Sequence, residues 1–298
     1  MSQSPFTGLS AFPLTPANAA GAVDTEGLQR LVNRILQADV QSIGLLGSTG
    51  IYMYLSREER RRAVAAAVEI VGGKIPLMVG VGALRTDEAQ ALARDAAREG
   101  ADALLLAPVS YAPLTEEEAF RHFEAVAGAT ELPLCVYNNP STTHFTFSET
   151  LLQRLATLPR IQAVKMPLPK DMDFSGELKR LRAGVPPGFR IGYSGDWGAC
   201  DALLAGADGW YSVVAGLFPK PAAALTRAAA QGDVAESRRL DALLAPLWDL
   251  FKTHGSLRVI FAAAGLLKLT DALPPRPLLP LSSDLLPAIE AAIAGLEE

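Results

Sequence analysis

Cysteine and histidine, the residues that most often bind metals or form cross-links, are scarce in this sequence. Cys135 and Cys200 lie far apart and belong to no partner motif, so the sequence indicates neither a disulfide framework nor a zinc site. His122, His144 and His254 share no metal-ligand spacing. We therefore expect neither a protein-bound metal nor a cofactor.

An excess of positive charge is also missing. The net charge of the 298 residues is -5, and the longest charged stretch, residues 57–62, mixes both signs, so nucleic acid is not an expected partner. No apolar run approaches the roughly 20 residues of a membrane helix, and residues 1–5 lack the charged and apolar regions of a signal peptide. The sequence therefore predicts a soluble, cytoplasmic protein with no membrane partner.

What the sequence does contain is a regular alternation of short apolar runs and amphipathic helical stretches. Apolar residues recur at helical spacing between the runs, as at Leu28, Leu31 and Ile35. An open doubly wound sheet would need a glycine-rich phosphate turn after its first strand, and none follows Leu14. The pattern therefore predicts an α/β fold, a TIM (β/α)8 barrel. Its candidate strands are residues 9–14, 42–46, 77–81, 103–106, 133–136, 163–164, 190–193 and 209–213.

The remainder of the chain, after the eighth candidate strand, is rich in alanine and leucine at helical spacing. This composition is typical of packed helices and predicts a C-terminal helical bundle. We accordingly expect two units: a barrel with the active site over residues 1–220 and a helical extension over residues 221–298.

Lys165 is the residue that says most about function, because it follows the strand-like run 161–164 in a position that a barrel would bury. Removing an ammonium group from water disfavours its charged form, and a neutral lysine amine can attack a carbonyl carbon to form a Schiff base. The alternative is a lysine whose stem packs inside the protein while its amine reaches water. Lys165 is therefore a candidate covalent catalyst.

Other candidates follow the strands, where TIM barrels place their active sites. Gly47, Ser48 and Thr49 belong to a turn whose backbone amides can cradle a carboxylate. Tyr137 closes the fifth strand and can transfer a proton, or can anchor an edge of the core. The remaining candidates are Ser110 and Tyr111 after the fourth strand, Thr142 after the fifth, Gly195 after the seventh, and Ser212 at the end of the eighth, where a structural role is the alternative.

Four motifs occur in an order and spacing that resemble one known family: Gly47-Ser48-Thr49-Gly50, Tyr137-Asn138-x-Pro140, Lys165 and Ser194-Gly195-Asp196. Over essentially the whole chain, the sequence resembles the dihydrodipicolinate synthase and N-acetylneuraminate lyase family of class I aldolases. The resemblance implies that Lys165 forms an imine with pyruvate or a longer 2-oxo acid, that Tyr137 mediates proton transfer, and that Ser48 and Thr49 bind the carboxylate. It also implies a homotetramer built as a dimer of dimers.

The sequence departs from this family at positions that decide the substrate. The synthases carry an arginine for the carboxylate of the aldehyde where this chain has Thr142, so the lysine-pathway condensation is not expected. Their second active-site tyrosine, which reaches across the dimer interface, aligns with Ser110. Either Tyr111 replaces it, or the relay is shortened to Ser110 and Tyr137. The stretches after the lysine and after the seventh strand lack the polar groups of sialic acid lyases, which favours a smaller or more hydrophobic 2-oxo acid.

The sequence thus predicts a cofactor-free lyase that makes or breaks a carbon-carbon or carbon-oxygen bond in a 2-oxo acid, pyruvate or a precursor that releases it, through an imine on Lys165. Two alternatives remain: a dehydratase or deaminase that uses the same imine, and a homologue that binds a 2-oxo acid without turnover. Replacement of Lys165 by alanine separates them, because a binder retains carboxylate affinity through Ser48 and Thr49.

Overall fold

Eight short parallel strands close into a barrel in the computed structural model, which describes residues 4–296. Each strand pairs with the next in sequence, and the eighth pairs with the first. The predicted TIM barrel is therefore confirmed. Residues 1–3 and 297–298, which the predicted domain ranges include, lie outside the described residues, as does part of the segment 1–5. The strands are β1 (Gly8–Ala11), β2 (Ser42–Leu45), β3 (Leu77–Gly80), β4 (Ala103–Leu106), β5 (Leu134–Tyr137), β6 (Ile161–Met166), β7 (Arg190–Tyr193) and β8 (Gly209–Ser212).

Helices follow the strands and surround the barrel. Those that lie between successive strands are α1 (Thr25–Leu36), α2 (Arg57–Val71), α3 (Thr86–Glu99), α4 (Glu116–Ala127), the short α5 (Pro140–Thr143), α6 (Glu149–Ala156), α7 (Phe174–Gly184) and α8 (Ala199–Leu204). Those that follow β8 are α9 (Pro219–Ala230), α10 (Val234–His254), α11 (Ser256–Leu266) and α12 (Leu286–Ile293).

Side-chain caps at the helix N-termini determine where the loops from strand to helix end. The hydroxyl of Thr115 accepts a hydrogen bond from the Glu118 amide at 3.2 Å, and the Glu118 carboxylate accepts one from the Thr115 amide at 2.7 Å. This reciprocal cap satisfies two amides that the helix itself leaves without partners. Ser148 caps α6 through the Leu151 amide at 3.0 Å. Because these loops leave the carboxyl ends of the strands, the caps constrain the face of the barrel that carries the candidate residues.

The inside of the barrel is filled by side chains, chiefly two aromatic rings that lie edge to face. The centroids of the Phe12 and Tyr211 rings are 6.1 Å apart. Each ring occupies space that a glycine leaves free: a Cβ atom at Gly44 would lie 2.2 Å from the Phe12 ring, and one at Gly192 would lie 2.6 Å from the Tyr211 ring. These rings form a closed apolar floor under the carboxyl ends of the strands, together with Met78, Leu105 and Cys135.

The C-terminal helices form the predicted bundle. Helix α9 packs against β1 and α8 and occupies the place of the eighth barrel helix. Helix α10 packs on α8 and α9, and α11 and α12 pack on α10. The division of the chain at residue 220 stays a prediction. Within residues 4–296, no helix combines the length and apolar character needed to cross a membrane.

Candidate active site

Lys165 lies inside β6, one residue before its end, and the residue is only 3% exposed. Its Nζ atom is 3.9 Å from the centroid of the Phe12 ring and 4.2 Å from that of the Tyr137 ring. Within residues 4–296, the amine has neither an ion-pair partner nor a hydrogen-bond partner. A buried amine held by aromatic faces, with no acid to neutralise it, is an unusual arrangement for a purely structural lysine.

The register of the barrel sets Tyr137 beside Lys165. The two residues are paired across β5 and β6, so both side chains point to the same side of the sheet. Below them, the Cys135 thiol lies 3.6 Å from the Tyr211 hydroxyl, and burial raises the pKa of Cys135 to about 12. The thiol therefore stays protonated at neutral pH, which leaves Lys165 as the candidate nucleophile of this part of the barrel.

The turn after β2 faces this amine. Leu46 has a φ of 57°, which reverses the chain into the turn, and Gly47 lies against Phe12, where a Cβ atom would be 2.7 Å from the ring. In the described part of the chain, the backbone amides of Ser48 and Thr49 have no hydrogen-bond partner. Adjacent free amides in such a turn can bind a carboxylate, as the sequence predicted.

A polar network, which the sequence analysis missed, connects this turn to Tyr137. The side-chain amide of Asn139 donates hydrogen bonds to the Tyr137 hydroxyl at 3.0 Å and to the Ser48 hydroxyl at 3.4 Å, and these two hydroxyls are 3.3 Å apart. The Ser141 hydroxyl donates to the Asn139 side-chain oxygen at 2.9 Å, which fixes the orientation of the amide. Because Asn139 donates to the phenol oxygen, the phenol proton is left for Ser48 or for a substrate.

The loop after β7 is held by a buried carboxylate. Gly195 has a φ of 91°, which favours glycine, and the next residue, Asp196, is 3% exposed. Asp196 accepts hydrogen bonds from the Trp210 indole at 2.8 Å and from the Val213 and Val214 amides at 3.2 and 2.9 Å. Burial raises the pKa of this carboxyl group, while these donors oppose the shift. Asp196 thus ties the loops after β7 and β8 together.

Of the other predicted site residues, some line the cavity with Lys165 and others lie away from it. Thr142 and Gly195 line the same cavity as Lys165, and the Thr142 hydroxyl donates to the Asn139 carbonyl at 3.3 Å. Ser212 is fully buried below the cavity and accepts from the Ala215 amide at 3.0 Å. The structure does not bring Ser110 or Tyr111 to the lysine of the same chain: Ser110 bonds to the Ala112 carbonyl, and Tyr111 is 99% exposed.

The cavity above Lys165 has a volume of about 650 Å³, within the usual range for small-molecule sites. Four of its lining residues come from α10, α11 and the turn between them, where the sequence analysis predicted packed helices and named no site residue: Phe251, Gly255, Ser256 and Leu257. The cavity thus brings together a buried amine, a phenol, a turn with free amides and residues of the C-terminal bundle. A carbonyl compound with an adjacent carboxylate matches the groups around the amine.

Comparisons with known proteins agree with this chemistry. A model of the dihydrodipicolinate synthetase family matches residues 5–295. The 4-hydroxy-tetrahydrodipicolinate synthase of Alcanivorax borkumensis is 36% identical over 274 residues, 90% of each chain, and that of Methylibium petroleiphilum is 33% identical over 299 residues, 98% of this chain and 99% of the relative. The crystal structure of a dihydrodipicolinate synthase from Agrobacterium tumefaciens is 62% identical, with a TM-score of 0.97 over 98% of each chain. This chain is therefore an enzyme, a class I lyase that belongs to the dihydrodipicolinate synthetase family.

Proposed function

We propose that the protein is an aldolase that makes or cleaves a 2-oxo acid, with pyruvate as one reactant, through a Schiff base on Lys165. The observation that carries the proposal is the placement of the Lys165 amine: 3% exposed, held on the Phe12 and Tyr137 rings, and at the base of the cavity. Family membership supports aldolase-type chemistry on pyruvate, and the residues around the amine supply the finer assignment.

Each group around Lys165 has a role in this scheme. The amides of Ser48 and Thr49 bind the carboxylate, which places the neighbouring ketone carbon within reach of the amine. The Lys165 amine displaces the ketone oxygen as water, and the protonated imine then accepts the electron pair of the bond that breaks at the neighbouring carbons. Tyr137 transfers the proton, with its hydroxyl held by Asn139 and next to Ser48.

Dehydration or deamination of a 2-oxo acid begins with the same imine, and a binding homologue would use the same carboxylate cradle. The three functions differ in the chemistry that occurs after the substrate is bound. A carbon-carbon lyase releases an aldehyde, a dehydratase or deaminase retains the carbon skeleton, and a binder forms no covalent adduct. Product analysis by mass spectrometry separates the first two, and trapping of the imine separates both from the third.

The first test is reductive trapping. Incubation with pyruvate and then with borohydride should add one reduced pyruvate per chain, and peptide mapping by mass spectrometry should place it on Lys165, because the Lys165 side chain reaches the base of the cavity. Acetone, which has the ketone but no carboxylate for the Ser48 and Thr49 amides, is the matched control and should label far less. A folded sample that shows no label with pyruvate or with longer 2-oxo acids would contradict the proposal.

We further propose a homotetramer in which Tyr111 reaches the site of a second copy; the cytoplasmic location stays a prediction. Tyr111 is 99% exposed, and Val109 and Leu114 on either side of it line a surface depression with Leu84, which is 59% exposed. An aromatic residue exposed beside apolar side chains is typical of a subunit contact. A solved relative is described as the first monomeric dihydrodipicolinate synthase variant.

Sedimentation analysis is expected to give the mass of four chains, and Leu84→Glu is expected to lower it by placing a charge in the contact. Leu279→Glu, at a leucine that is 58% exposed elsewhere, is the control. If Tyr111 acts across the contact, mixing Lys165→Ala chains with Tyr111→Ala chains restores activity, because one hybrid site has both groups. A monomeric wild type, or no restoration after verified mixing, would contradict this proposal.

A further inference from the structure

The two ends of the cavity differ in chemistry. Near Lys165, beside the Phe12 ring, the lining carries the polar groups of Ser48, Thr49, Tyr137 and Asn139. The lining also contains six apolar side chains from separate loops and from the C-terminal helices, which we call the apolar end, and the hydroxyls of Ser194 and Ser256 come from the same segments. The six are Leu168, Met172, Trp197, Val213, Phe251 and Leu257. Among the described lining residues, Lys165 and Asp196 are the only charged ones. The Arg258 guanidinium comes near the turn at Gly255, 3.7 Å from where a Cβ atom there would lie, but it lines a separate depression, so the described lining of the apolar end has no cation for a second carboxylate.

Most polar side chains near this end are already engaged, and the Ser256 hydroxyl adds one uncharged polar group to the lining. The Asp196 carboxylate accepts three hydrogen bonds from Trp210, Val213 and Val214, so it holds the loops rather than a ligand. The Thr142 hydroxyl donates to the Asn139 carbonyl. A carboxylate brought to this end would give up part of its hydration without gaining a cationic partner, which is unfavourable. An apolar group would lose only unfavourable contact with water.

The apolar wall is positioned by the backbone. Leu168 packs on the loop after β7: a Cβ atom at Gly195 would lie 2.8 Å from its side chain, and one at Gly198 would lie 2.7 Å from it. Trp197, between these glycines, lines the cavity and is 38% exposed. Gly255, with a φ of 83°, forms the turn between α10 and α11 that brings Phe251 and Leu257 to the cavity.

We infer that the reactant that combines with pyruvate, or leaves it, is an uncharged, apolar aldehyde, either aromatic or branched aliphatic. This inference rests on the proposed function and specifies its second substrate. The corresponding 2-oxo acid is a 4-hydroxy-2-oxo acid that carries an apolar group on C4. The carboxylate end lies at Ser48 and Thr49, and the C4 group lies against Leu168 and Trp197.

The cleavage balances with these reactants alone. Imine formation on Lys165 releases one water. The C4 hydroxyl then gives up its proton as the C3–C4 bond breaks, the electron pair moves into the imine, and the aldehyde leaves an enamine on the lysine. Protonation of C3 and hydrolysis by one water return pyruvate and the free amine, so the cleavage needs no oxidant and no reductant.

Matched aldehydes test the inference in the condensation direction with the full-length protein. Pyruvate is incubated with one aldehyde at a time from two pairs, each with a neutral and a carboxylated member. The aromatic pair is benzaldehyde and 4-carboxybenzaldehyde, and the aliphatic pair is 3-methylbutanal and succinic semialdehyde. The 4-hydroxy-2-oxo acids that form, or their dehydrated forms, are measured by mass spectrometry. The neutral member of each pair should have a kcat/KM higher by roughly 100-fold, because the wall offers its carboxylate partner no cation.

Variants of the wall sharpen the test. Trp197→Ala should raise KM for benzaldehyde by roughly tenfold, and by more than it raises KM for pyruvate. Thr142→Arg, which adds a cation to the lining, should shift the preference toward 4-carboxybenzaldehyde. Leu243→Ala, at a leucine that is 51% exposed on α10 and outside the cavity lining, is the control for a general loss of apolar surface.

Borohydride trapping of pyruvate in the same samples separates this inference from the function on which it rests. If Lys165 is labelled and the carboxylated aldehydes are used as well as the neutral ones, or better, the inference is wrong and the proposed function stands. The same conclusion holds if the labelled protein uses neither neutral aldehyde. An absence of labelling in a folded sample would overturn both.

Discussion

Replacement of Lys165 by methionine is expected to remove imine formation entirely and to lower kcat/KM by at least about 10⁴-fold, since no other amine lines the cavity among the described residues. Lys165→Arg should be equally inactive, because a guanidinium keeps the charge but does not form the imine. Steady-state kinetics and borohydride trapping measure the two effects.

The melting temperature of the Lys165→Met variant shows whether its loss of activity is caused by a loss of folding. Methionine fills a similar volume on the Phe12 and Tyr137 rings and removes a buried amine that has no acidic partner, so the melting temperature of Lys165→Met should be unchanged or higher. Lys170→Ala, at an exposed lysine close in sequence, should retain full activity. Substantial turnover by a folded Lys165→Met variant would rule out the Schiff-base mechanism.

The second large effect is expected from Tyr137→Phe, which keeps the ring under the Lys165 amine but removes the hydroxyl. Loss of the group that transfers the proton should lower kcat by about 10²- to 10³-fold, while the imine with pyruvate still forms and can be trapped. Tyr54→Phe, at a tyrosine that is 43% exposed outside the cavity, is the matched control. Equal kcat values for wild type and Tyr137→Phe would assign the proton transfer to another group.

Substitution of Asn139 tests the role of the Tyr137 hydroxyl through a smaller change, because Asn139 orients that hydroxyl. Asn139→Ala removes the donor that orients the Tyr137 hydroxyl, so kcat should fall by roughly tenfold. If Asn139 acts through Tyr137, the substitution should have almost no further effect in the Tyr137→Phe background. An additive effect in the double variant would instead indicate that Asn139 has a separate role.

The sequence alone was sufficient to predict the barrel, and it also indicated the residues that we propose as the main catalytic groups. The alternation of short apolar runs with amphipathic stretches is a local property, and it placed all eight strands, although β6 is longer than the two residues predicted. The rule that active sites lie at the carboxyl ends of barrel strands then located Lys165, Tyr137 and the turn at Ser48 on one face. The structure confirms that these residues share one cavity.

Only the tertiary structure showed what surrounds these groups. Phe12 under the amine, the hydrogen bonds of Asn139, and the approach of Phe251 and Leu257 are contacts between residues far apart in sequence or between side chains of one loop. Periodicity reports which face of an element is buried, but not which distant side chain covers it. The candidate lysine is thus indicated by the sequence around it, whereas Phe251 and Leu257 join the lining of the cavity only because the C-terminal helices pack against the barrel.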